Sequence, residues 1–136
     1  MSSKRIILYA DDDPDDFELV QDSFSRYDGI ELVHCTNGKL VLQLLEEMTT
    51  EKCMPCMIIL DMNMPVMDGR QTLIHLKKNA ALTNVPVIIF TTSNSRLDQF
   101  FAQTYGARFM TKPKRLDEAQ NLAEELATQC NIQLLS

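Results

Sequence analysis

Ile58-Ile59-Leu60-Asp61-Met62-Asn63-Met64-Pro65 is the stretch whose reading decides the fold. An apolar run ends abruptly in a carboxylate, and Pro65 and then Asp68-Gly69 follow within a few residues. A short, wholly apolar run bounded by turn residues reads as a strand buried on both faces. Asp61 then stands at the carboxyl end of a central strand, the edge where open α/β sheets place their chemistry. Two other stretches suit the same edge: Asp11-Asp12-Asp13 after the first strand, and Lys112-Pro113 after the last.

On either side of this run, strand and helix signals alternate. Arg5 to Ala10 is β-branched and apolar, and reads as a strand closed by Asp11 and Asp12. Asp13-Pro14-Asp15-Asp16 is a helix start, with a capping side chain, a proline at the first position and acids at the positive end. Phe17, Val20, Phe24 and Tyr27 give that helix one apolar face. Ile30 to Cys35 alternates partly, as an edge strand does, and Leu40 to Met48 forms a second amphipathic helix. A helix is expected from Gly69 to about Ala80, a strand at Val87 to Phe90, and a fourth helix carrying Leu97, Phe100, Phe101 and Tyr105. Arg108 to Thr111 is a short last strand, and Leu116, Ala119, Leu122, Ala123, Leu126 and Ala127 mark the last helix. Five strands alternating with five helices require βαβ crossovers and a parallel sheet covered on both faces. The expected fold is α/β: a flavodoxin-like, three-layer, doubly wound (βα)5 unit with strand order 2-1-3-4-5, one domain over residues 1–136.

The bulk composition narrows the function. With 136 residues, 45% hydrophobic and 24% charged, the chain suits one globular domain. A net charge of -6 and the lack of a basic stripe argue against nucleic acid as a partner. No apolar run approaches the roughly 20 residues that span a bilayer, so no membrane partner is expected and a cytoplasmic location is. Four cysteines, Cys35, Cys53, Cys56 and Cys130, read as reduced thiols in such a chain. Cys53-Met54-Pro55-Cys56 has the spacing of a redox pair or half a zinc site, but it precedes a strand where redox pairs open a helix, and further ligands would be distant. The plain reading is a pair of loop thiols.

At the carboxyl edge, the loops after strands one, three, four and five deliver Asp11, Asp12, Asp61, Thr91 and Lys112 to one rim. Carboxylates gathered in one cleft repel one another unless a cation compensates. Mg2+ suits oxygen ligands of this kind, with water and a phosphoryl oxygen completing its shell. Lys112 adds a compact positive charge and Thr91 a hydroxyl. A metal, an ammonium and a hydroxyl around one exposed carboxylate suit phosphoryl transfer, with Asp61 as nucleophile.

Four pieces in this order resemble the response-regulator receiver domains of two-component signalling. They are Asp11-Asp12, Leu60-Asp61-Met62-Asn63-Met64-Pro65 with Asp68-Gly69, Thr91-Thr92-Ser93, and Thr111-Lys112-Pro113, and the likeness covers about residues 4–129. The resemblance implies that Asp61 is the phosphoacceptor, taking its group from a histidine kinase or phosphotransfer protein. It implies a Mg2+ site made by Asp12, by Asp11 mainly through water, by the Asp61 carboxylate and by the Asn63 backbone carbonyl. It gives Thr91 the role of switch hydroxyl, has Lys112 contact the phosphate, and makes the Lys112–Pro113 bond cis. The acidic start and the Thr-Thr-Ser run are similar to single-domain regulators that pair with phytochrome-like kinases. The implied protein is a signalling switch and not an enzyme, acting on an unknown downstream protein through the fourth helix, last strand and last helix, with Phe100, Phe101 and Tyr105 as partner contacts.

Two positions depart from the family pattern. Phe109 stands where many receivers carry a switching Tyr, and it lacks the hydroxyl. Thr92 stands where a smaller residue is common, and is expected to narrow access to Asp61. The alternative function is a pseudo-receiver that binds a partner without phosphorylation. A flavodoxin is disfavoured because an acidic first loop repels the FMN phosphate. A haloacid-dehalogenase-type phosphatase is disfavoured because Asn63 stands where its second Asp belongs.

Overall fold

The computed structural model describes residues 4–92 and 95–130. The elements run β1 (Arg5–Ala10), α1 (Pro14–Phe24), β2 (Ile30–Cys35), α2 (Gly38–Thr50), β3 (Met57–Asp61), α3 (Gly69–Lys77), β4 (Val87–Thr91), α4 (Arg96–Thr104), β5 (Arg108–Thr111) and α5 (Leu116–Gln129). All strands pair in parallel, in the order β2-β1-β3-β4-β5. The doubly wound, flavodoxin-like arrangement expected from the alternation is the one found.

Side chains alternate across the central strands, and each parity feeds one of two cores. Leu8, Ala10, Ile58, Leu60 and Ile89 pack with Val41 and Leu45 of α2, Leu73 and Leu76 of α3 and Ala102 of α4. Ile7, Tyr9, Met57, Ile59, Ile88 and Phe90 pack with Val20 and Phe24 of α1 and with Leu122, Ala123 and Leu126 of α5. β3 and β4 are buried at every position, which explains their unbroken apolar runs.

Local chemistry sets the helix starts. Asp13 caps α1, its side chain accepting from the Asp15 amide, with Pro14 at the first helical position. Asp68 and Gln71 form a reciprocal capping box on α3. Gly69 is demanded by space, since a Cβ there would lie 2.4 Å from the Asp61 carbonyl oxygen. The helix expected to reach Ala80 ends at Lys77, and Asn79 starts a separate 3-10 turn, Ala80–Leu82, by accepting from the Ala81 amide. Tyr27 falls beyond the end of α1 but is still buried beside Phe24.

Two expectations are corrected. The cysteines are not all reduced thiols, because Cys56 and Cys130 form a disulfide with Cα atoms 5.4 Å apart. Two residues 74 apart in sequence meet because α5 runs back along the sheet and ends beside the start of β3. The Lys112–Pro113 bond is trans, not cis. Trans is the favoured form of an X–Pro bond by about 0.5–1 kcal/mol, and the Lys112 amide already aligns its residue by donating to the Thr91 carbonyl at 2.9 Å. The aromatic residues of α4 expected as partner contacts differ in exposure. Phe101 and Tyr105 pack against the core with rings 4.8 Å apart, and Arg70 lies over Phe101. Leu97 and Phe100 are the exposed pair, at 77% and 69%.

Candidate functional site

The carboxyl ends of β1, β3, β4 and β5 form one rim. Hydrogen bonds carry the sheet slightly past its strands there: the Asp11 amide donates to the Cys35 carbonyl, Met62 to Phe90, and Lys112 to Thr91. Asp11, Asp61, Thr91 and Lys112 are thereby placed side by side, all buried.

The Lys112 ammonium is the hub of this rim. Its Nζ lies 2.7 Å from Asp11, 2.6 Å from Asp16 and 3.3 Å from Asp61. Burial works against the charge on Lys112, but hydrogen bonds to Asp11 and Asp16 outweigh it and hold the ammonium above the usual lysine range. Burial also dominates at Asp61. Lys112 partly offsets it and the Asp11 charge adds to it, so the Asp61 carboxyl is pushed up to about 6.

Asp11 has no exposed surface. Its carboxylate accepts from the Tyr9 hydroxyl at 2.9 Å and from the Asp13 amide at 3.0 Å. Burial, and then the Asp11 charge, keep the Tyr9 hydroxyl protonated far above neutral pH. The Asp11 carbonyl accepts from His34 Nε2 at 2.6 Å, and the His34 ring stacks on Phe17 at 4.2 Å. The rim is thus built on a second layer of aromatic groups below it.

Carboxylate oxygens of Asp11, Asp12 and Asp61 lie within 4.8 Å of one another. Asp12 is exposed and Asp61 is 8% exposed, so this trio opens to solvent. Asp11, Asp16 and Asp61 set three carboxylates against one ammonium, and the cleft stays negative. This donor set suits a hard divalent cation. Asn63 is exposed just beyond β3 and its amide supports the Asp61 carboxylate. Thr91 is 1% exposed, Thr92 is exposed, and Phe109 is half-buried against the α2–α4 core. Ser93 lies outside the described residues.

The expected residues Asp11, Asp12, Asp61, Thr91 and Lys112 therefore meet at one rim. Tyr9, His34 and above all Asp16 join the site unannounced by the sequence, where Asp16 reads as an acid at the positive end of a helix. The signal for Asp16 was its place in the first turn of a helix that begins at the rim.

A buried Lys–Asp cluster at the carboxyl edge of a 2-1-3-4-5 sheet defines a class of acidic-pocket α/β modules. The particular family follows from comparison, since the family model for the response regulator receiver domain matches residues 7–124. The chain belongs to that family. It is 33% identical over 108 residues to the uncharacterized transcriptional regulatory protein YrkP of Bacillus subtilis, covering 79% of this chain but 42% of YrkP. It is 29% identical over 119 residues to the response regulator Rcp1 of Synechocystis, covering 84% of this chain and 80% of Rcp1. A crystal structure of Mn(2+)-bound Rcp1 is similar with a TM-score of 0.76 at 26% identity, covering 97% of this chain and 99% of that one. The phosphorylated cyanobacterial phytochrome response regulator RcpA shares the fold with a TM-score of 0.85 at 23% identity, covering 98% and 100%. No helix among the described residues is long and apolar enough to cross a membrane.

Proposed function

We propose that the chain is a phosphorylation-switched signalling module in which Asp61 accepts a phosphoryl group from a phosphohistidine of a sensor kinase or phosphotransfer protein. The carrying observation is the Asp61 carboxylate at the carboxyl end of β3, beside the exposed Asp12 and with the Lys112 ammonium 3.3 Å away. An Asp61 oxygen attacks phosphorus as the P–N bond to the donor imidazole breaks, and the imidazole leaves with its electron pair. Lys112, which contacts three carboxylates, turns its ammonium from Asp61 onto a phosphoryl oxygen while keeping its contacts with Asp11 and Asp16. Thr91 turns its hydroxyl to another phosphoryl oxygen. Asp11, Asp12, Asp61 and the Asn63 carbonyl would hold Mg2+, which when bound supplies positive charge against the phosphoryl oxygens.

The mass of phosphoryl charge at the rim then biases the loop after β4 and the surface of α4, β5 and α5, where Leu97 and Phe100 stand exposed. Phe109 responds by packing alone, having no hydroxyl to rebind. Thr92, exposed beside the site, restricts small donors. The reading is that of a receiver domain acting in the cytoplasm, with a protein as downstream partner.

Intact mass after incubation with Mg2+ and acetyl phosphate, or with a phosphorylated kinase fragment, tests the central claim. One added phosphoryl group is expected, absent in Asp61→Asn and absent without Mg2+. No gain from either kind of donor overturns the phosphoacceptor role and leaves a binding module that works unphosphorylated.

A further inference from the structure

The end of the sheet opposite Asp61 carries its own chemistry. Cys56 immediately precedes β3, and Cys130 immediately follows α5. The two sulfurs of their disulfide are unequally reachable: Cys130 is 1% exposed, while Cys56 is half-buried and lines a cleft of about 460 Å³. The other walls are Lys4, Arg5, Ile6, Lys52, Cys53, Met54 and Pro55. Three cations thus face one cleft, with no carboxylate among the described residues that line it, in a chain whose net charge is -6. Lys4, Arg5 and Lys52 are all exposed at its mouth. Lys52 is also held there by its backbone, which adopts a positive φ of 58°.

We propose that Cys56–Cys130 is an exchange site for an anionic low-molecular-weight thiol, whose carboxylates dock on Lys4, Arg5 and Lys52 while its sulfur meets Cys56. A cleft of this size holds a small peptide-like molecule. The cationic rim raises the local concentration of an anion and of its thiolate. The thiolate attacks Cys56 Sγ along the open side. A bond forms between the incoming sulfur and Cys56, the Cys56–Cys130 bond breaks, and Cys130 leaves as a thiolate that takes a proton from water. A second thiolate attacks the sulfur of the first, releasing Cys56 as a thiolate. The net result oxidises two small thiols to their disulfide and reduces the protein disulfide by the same two electrons. Exposed Cys53, a neighbouring wall of the cleft, is a second sulfur within the same cationic surroundings.

The fold survives the exchange, because Leu122, Ala123, Leu126 and Ala127 still bury α5 against the sheet and α1. What changes is the covalent hold on the tail end of α5.

The test compares reduction of the full chain by glutathione, which is anionic, and by cysteamine, which is cationic, at equal thiolate concentration. Alkylation and intact mass read the free thiols. Glutathione is expected to open the disulfide about tenfold faster at low salt, and the advantage should shrink toward parity at roughly 0.5 M salt, where screening is strong. The Lys4→Gln/Lys52→Gln variant should lose most of the advantage while its rate with cysteamine rises or holds. A mass showing four free thiols in the protein isolated without reductant overturns the proposal. So do equal rates for the two thiols, or an advantage that the double variant keeps.

Discussion

The two ends of β3 are secured by different physics. At Asp61 the strand ends in a cluster of three carboxylates around one ammonium, buried and held by hydrogen bonds. At Cys56 it begins at a covalent bond to the far end of α5. The charged end is costly to keep: burial pushes the Asp61 carboxyl up to about 6, which means that its ionised form is disfavoured in the fold. The disulfide end carries no such penalty and constrains the unfolded chain instead. A strand pinned at its quiet end can tolerate an unfavourable arrangement at its reactive end.

The largest expected effect comes from removing the covalent anchor. A bond between residues 74 apart restricts the unfolded chain by about 4 kcal/mol on loop-closure grounds, an upper figure for real proteins. The Cys56→Ser/Cys130→Ser variant should lose up to about that much stability in urea unfolding. Wild-type protein in excess reductant should fall to nearly the same midpoint. If the variant and the reduced protein keep the full wild-type midpoint, the disulfide end is not an anchor and the contrast fails.

The charged end makes a slightly smaller and pH-dependent contribution. A free aspartic acid titrates near 3.8, and burial pushes Asp61 up to about 6 in the fold. Its protonated form therefore favours the fold most below pH 4, and that contribution is lost as pH rises through 6. The difference is about 3 kcal/mol by pH 8. Asp61→Asn, which removes the buried charge, should accordingly be more stable than wild type at pH 8 and close to it at pH 4. Parallel stability curves from pH 4 to 8 would show that Asp61 is not strained by burial.

The smallest effect sharpens the same contrast. Val66, five residues past Asp61, has a φ of 67° and is 75% exposed, while the Met67 amide donates to the Pro65 carbonyl at 2.7 Å. This is a γ-turn with a β-branched residue in the left-handed region, a conformation glycine adopts at little cost. Val66→Gly should therefore raise stability by about 1 kcal/mol. A loss on substitution would mean that the loop beside the site holds no strain.

Most of the fold and half of the site could be read from local signals. Ile58-Ile59-Leu60-Asp61 identified a buried strand and its reactive end because apolar runs, turn residues and carboxylates act over a few positions. Asp11, Thr91 and Lys112 followed because each ends a strand, and parallel strands share one edge. Asp16 did not follow. Its role depends on the angle at which α1 leaves the rim, and an acid in a first helical turn looks the same whether it faces solvent or Lys112. Phe101 and Phe100 are adjacent aromatic residues of unequal exposure, and only the seat of α4 on the core distinguishes them. The Cys56–Cys130 pair, 74 residues apart, depends on where the last helix happens to end, while the nearer Cys53 gave a misleading local pattern.

Lys112 has one more consequence. Because its ammonium already sits among Asp11, Asp16 and Asp61, the polypeptide carries a place-holder for whatever cation the cleft later takes. Many small metal-binding proteins cannot fold until their ion arrives. Here an ammonium of the chain itself already offsets part of the carboxylate charge at the rim, so those buried acids are balanced in part by the polypeptide's own cation.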